Sequence, residues 1–246
     1  MPLPKINAPI FELNLPSTGK PVKYRPFLVK EQKILMLAME GDEQTSIVTA
    51  IKQIINNCAI DPVDVDKLPT FDLEYFFTRL RAKSIGEKVD LRMRHPNNKN
   101  AKGNECRHET SVSFNLMNLE VSKKDGHTEK IVLDEETGVG VKMKYPTMEG
   151  VLVKDAEKMS QLEVATEAMI NSIEFIFDKE AVYNRDDYTR AELKEFIDNL
   201  SQTQFEKLAQ FFDTMPKLKQ EIKWKCSGCE EEESVTLEGM SSFFVF

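Results

Sequence analysis

Two stretches far apart in the chain follow one plan. "GEKVDLRMRH" (86–95), continued after a polar loop by "ECRHETSVSFNLMNLE" (105–120), matches "QEIKWKCSGCEEEESVTLEGMSS" (220–242) step for step. Each has an alternating strand with basic outward positions, a knuckle carrying soft metal ligands, a glutamate-containing exit and a second alternating strand. Any fold must therefore form two similar β-hairpins, each half of a zinc-ribbon-like pair.

A ribbon site draws two ligands from each of two knuckles, since tetrahedral zinc needs four donors and one tight turn offers only two. Cys226 and Cys229 form one pair, with Gly228 expected to supply a left-handed turn. The other comes from His95, Cys106 and His108. His95 ends its strand where a first cysteine would stand, so the preferred set is His95, Cys106, Cys226 and Cys229, with His108 the substitute for His95. Two readings follow: zinc as cofactor, or a degenerate ribbon with free thiols at Cys226 and Cys229. A redox pair fits poorly, because thioredoxin-like motifs open a helix and this one lies between strands, beside Glu230 to Glu233, expected as a solvated exit.

The rest of the chain supplies helices and short strands. Phe11, Leu13 and Leu15 alternate before a Pro-Ser-Thr-Gly turn, predicting an N-terminal hairpin. "VKEQKILMLAMEG" and "DEQTSIVTAIKQIINNCAI" show helical spacing, the latter with an acidic first turn at Asp42 and Glu43 and with Cys58 as a buried small hydrophobe. Leu73, Phe76, Phe77 and Leu80 mark a third helix ending before Gly86. Residues 117–145 read as short strands around Asp125-Gly126 and Thr137-Gly138. A helical stripe runs from Met159 through Ile176, and two shorter helices follow with Thr189 and Ser201 as N-caps. The Met and Phe stripes of 159–177 and 205–212 read most simply as core; the alternative is that part of this surface, more than a thin β layer covers, faces another subunit.

The expected fold is α+β, a single unit over 1–246. Its subregions are an N-terminal hairpin and helices (1–86), a β region with the first knuckle (87–145), a helical insert (146–216) and a C-terminal knuckle hairpin and tail (217–246). The tail "SSFFVF" is expected to dock on the core.

A net charge of −8 argues against broad binding to nucleic acid. No apolar run of about 20 residues predicts a membrane span, and no apolar h-region predicts a secretory signal; the expected compartment is a cytoplasm. P-loop, Rossmann, Gly-x-Ser-x-Gly and His-Glu-x-x-His patterns are missing, so no enzyme is expected. His127, in "KKDGHTE", reads as a solvated loop residue. A nucleic-acid or transcription-associated ribbon is the alternative, with a basic face from Arg79, Arg81, Lys83, Lys88, Arg92, Arg94, Lys99 and Lys102.

The order "EYFFTRLRAKSIGEKVDLRMRH", Cys106 before a strand, "IKWKCSGC" and "VTLEGMSSFF" resembles the baseplate hub proteins of T4-like contractile-tailed phages, a family with a hub subunit and a related assembly factor. In the family the first knuckle more usually carries a second cysteine pair; here His95 replaces one cysteine and the loop is longer. The resemblance implies a late morphogenesis protein acting in the host cytoplasm, and in or on the virion's baseplate. Its partners would be other hub proteins, held through the helical insert and the C-terminal region.

Overall fold

The computed structural model describes residues 7–41, 44–151 and 159–239. The acidic turn at Asp42 and Glu43 and the tail from 241 lie outside them. Seven α-helices and eleven strands occur among the described residues, and every strand pairing is antiparallel, giving the α+β class. The chain divides into two compact units. One contains residues 1–65, 71–122 and 217–246, the other 66–70 and 123–216.

In the first unit, β1 (Phe11–Asn14) and β2 (Pro21–Tyr24) form the predicted hairpin, turned at Gly19, whose φ of 67° suits glycine. Three helices follow: α1 (Val29–Glu40), α2 (Gln44–Cys58) and α3 (Thr70–Ser84). Ile51, Ile54 and Ile55 of α2 and Leu73, Phe76 and Leu80 of α3 are fully buried, as helical spacing requires of one apolar face. Tyr24 meets Phe76 edge to face at 5.6 Å, joining hairpin to helix. Cys58 is buried, which pushes its thiol up to about 11 and makes it a poor nucleophile.

Two hairpins complete this unit. β3 (Lys88–Met93) pairs with β4 (Thr110–Asn115), and β10 (Lys217–Lys225) lies between β11 (Glu232–Glu238) and β5 (Glu120–Ser122). Val89, Leu91, Leu116, Leu119, Leu218 and Ile222 form their shared core. The buried Arg79 donates to the carbonyls of Met117 (2.6 Å) and Leu119 (2.9 Å), replacing lost water and anchoring the segment after β4.

The second unit has a four-stranded sheet in the order β6 (Lys130–Val132), β7 (Gly140–Met143), β8 (Ile173–Phe177), β9 (Val182–Asn184). Its helices are α4 (Met148–Val151), α5 (Gln161–Ser172), α6 (Arg190–Asp198) and α7 (Gln202–Thr214). Thr189 and Ser201 cap α6 and α7 in reciprocal capping boxes with Glu192 and Gln204. The predicted helical stripe breaks at Ser172. "IEFIF" leaves the helix and pairs with β7, because its β-branched and aromatic residues fit a sheet and β7 offers a partner edge. Helices and sheet bury Val141, Met143, Met169, Ile170, Leu193, Ile197, Leu208 and Phe211 together. The apolar stripes of 159–177 and 205–212 are largely this unit's own core, as expected, although Leu162 stays 65 % exposed.

His127 is half-buried rather than a solvated loop residue. Its Nδ1 lies 3.0 Å from Thr214 Oγ1 and its Nε2 3.2 Å from Tyr145 Oη, with Phe211 beside the ring. Burial pulls its pKa below the ordinary 6.5, against the upward pull of Glu129.

Candidate metal centre

The two hairpins of the first unit place their turn ends together. In the second knuckle, Cys226 N–H donates to the Glu231 carbonyl (2.9 Å) and Glu230 N–H to the Cys226 carbonyl (3.0 Å). The left-handed residue is Glu230, at φ 60°, and not Gly228 as expected from the motif. Gly228 serves a different need: a Cβ there would run into the His108 ring, so the glycine allows that close approach. Ser227 N–H donates to Thr110 Oγ1 (2.9 Å), fastening this knuckle to β4.

The first knuckle solves a harder problem, returning the chain to His95 after ten intervening residues. A tight turn over Pro96–Asn98 uses left-handed backbone at Asn97 and Asn98, a conformation asparagine tolerates. Lys99 and Glu105 then bridge, Gly103 turns the loop at φ 82°, and Cys106 N–H donates to the Asn98 carbonyl (2.8 Å). The polar loop is therefore a small hairpin that delivers Cys106 beside His95.

His95, Cys106, Cys226 and Cys229 converge, with donor atoms all within 4.8 Å of one another. His108 lies against Gly228 instead. Cys106 Sγ is 3.7 Å from Cys226 Sγ, and Cys229 Sγ is 3.2 Å from His95 Nε2. Two sulfurs on one tetrahedral zinc, at Zn–S of about 2.3 Å, sit about 3.8 Å apart; a sulfur and an imidazole nitrogen sit about 3.6 Å apart. These closest spacings match a shared ion, and the widest needs about 1 Å of contraction. The donor set fits a metal, with softness suited to zinc.

Surrounding groups fit the same chemistry. Glu233 Oε1 accepts from His95 Nδ1 at 2.5 Å, the outer-shell carboxylate that turns Nε2 toward the other donors. This side chain was expected in a solvated exit; β11 instead sets Glu233 opposite Trp224, and its side chain is only 16 % exposed. The Trp224 ring stands 5.2 Å from the His95 ring and covers that side of the site, while Cys229 on the other side is partly exposed. Glu231 pairs with Lys102.

Electrostatics prepare Cys226 as a ligand. Backbone N–H donation, from Cys229 first and Gly228 after, outweighs burial and brings its thiol down to about 6. Burial pulls His95 down, but Glu233 and the two neighbouring cysteines raise it to about 9. The two shifts run in opposite directions, the thiol down and the imidazole up, and binding a metal would require both groups deprotonated. Cys106 is raised: N–H donation from His108 is outweighed by burial and by the nearby thiols.

Comparison with known proteins bears on the whole chain. A family model described as T4 bacteriophage base plate protein matches residues 8–245, through both units. No curated protein and no solved structure matches.

Proposed function

Because the chain belongs to the T4 bacteriophage base plate protein family, we propose that it acts in the hub of the phage base plate, as a structural subunit or assembly factor without enzymatic activity. The single observation carrying this reading is the length of the match, which takes in both hairpins and the unit of residues 123–216. Its work is protein–protein contact with other hub components during assembly in the host cytoplasm. In the second unit, Ile176, Phe177, Tyr183, Tyr188 and Phe196 line an open apolar groove of about 390 Å³, a surface of the kind such contacts use.

Zinc at His95, Cys106, Cys226 and Cys229 is a structural cofactor in this account. It clamps the β3–β4 hairpin to the β10–β11 hairpin, and four protein donors leave no position for substrate. The nucleic-acid alternative needs free cations beside the knuckles. Of the eight candidate cations, Arg79 and Arg81 are buried, Lys83 pairs with Glu87 (2.6 Å), and Arg94 and Lys102 pair with Glu109 and Glu231, while Lys88, Arg92 and Lys99 stay exposed. No helix among the described residues is long and apolar enough to cross a membrane.

The test is genetic and biochemical together. Phage lacking the protein should fail to complete base plates, and the purified chain should bind at least one hub component. Complete base plates in its absence, with no binding to any hub component, would sink the reading.

A further inference from the structure

Helix α1 has one face that its own unit leaves in solvent. Its inner side is set by Glu31 and Leu35, 0 % and 1 % exposed, with Glu31 held by Arg25 at 3.0 Å. On the outer side, Val29 is 68 %, Met36 57 % and Leu37 68 % exposed, and Lys33 and Glu40 are exposed among them. At about 100° per residue, these five positions fall within roughly 100° of arc, a single stripe. An apolar stripe of this kind on a chain that is 30 % charged calls for an occupant.

We propose that this stripe docks against the same stripe of a second copy, with the two α1 helices antiparallel about a two-fold axis between Met36 and Leu37. The order of residues argues for this occupant. Lys33 and Glu40 stand equally far on either side of that midpoint, so the axis brings Lys33 of each copy opposite Glu40 of the other. Met36 meets Leu37 at the centre. A two-fold contact must be self-complementary, and this stripe is so in both charge and shape. Parallel pairing would instead stack Lys33 on Lys33 and Glu40 on Glu40.

The contact is small. The exposed apolar side chains supply on the order of a few hundred Å² per copy, below the roughly 800 Å² per partner of a standard interface. Association is therefore weak in dilute solution and grows where copies are concentrated in an assembly.

Sedimentation equilibrium of the full chain, from about 10 to 300 µM, tests the proposal. The wild type should approach a dimer at the upper end, and Leu37→Glu should remain monomeric. Lys33→Glu and Glu40→Lys, both at exposed sites, should each weaken the dimer about tenfold, because each puts like charges together twice. The double swap Lys33→Glu/Glu40→Lys should restore it. A wild type monomeric throughout, single swaps as tight as wild type, or a double swap as weak as the singles would overturn the proposal.

Discussion

Cys106 and Cys226 stand 3.7 Å apart, sulfur to sulfur, across 120 residues of sequence. The spacing is far from the roughly 2.05 Å of a disulfide and close to the separation of two thiolates on one zinc. A shared ion there would close a long loop of chain, and its binding energy would become folding energy for the two hairpins.

Glu233 is the support that orients His95, so Glu233→Ala should keep the fold but weaken metal binding by about 10- to 100-fold. Competition against a chromogenic chelator measures this. An unchanged affinity would mean that the Glu233 contact does not hold the imidazole in place.

Gly228 and His108 share space for one side chain too few. Gly228→Ala should cost about 1–3 kcal/mol from overpacking against His108, whose Cβ would lie 2.8 Å from the new methyl. In denaturant titrations, His108→Ala alone should change little, while His108→Ala/Gly228→Ala should recover most of the loss. Additive losses in the double variant would show that the glycine is needed for its backbone instead.

Much of this was legible in the sequence. The shared plan of the two hairpins pointed to four donors from two knuckles, and Thr189 and Ser201, as N-cap residue types, marked where α6 and α7 begin. The failures share a cause: partners distant in sequence. "IEFIF" satisfies helical spacing through Ile173 and Ile176, and only the edge of β7 makes it a strand. β9 is three residues long, too short to show alternation. Glu233 looked like one of four solvated glutamates until the β10–β11 register set it opposite Trp224. That signal was available in part, since alternation in β11 gives Glu233 a different face from Glu232.

His127 shows the same effect and carries a pH prediction. Its neighbours Tyr145, Phe211 and Thr214 are remote in sequence, and burial depresses its pKa below 6.5. In the unfolded chain it binds a proton near that value, whereas the folded chain takes one only at lower pH. Its contribution is present above about pH 6.5 and is lost as pH falls through the window down to the folded value. Melting temperatures followed from about pH 7.5 to 5 should therefore decline more steeply for wild type than for His127→Gln. Parallel curves would show that His127 is not the titrating group.

The central claim, a zinc-held clasp between the two knuckles, meets its most direct test in metal analysis by mass spectrometry. The chain should be purified without chelator or metal-affinity tag, beside Cys226→Ser. The account predicts one zinc per wild-type chain and little or none in the variant. Wild-type protein that is folded, free of zinc and open to thiol reagents at Cys226 and Cys229 would contradict it.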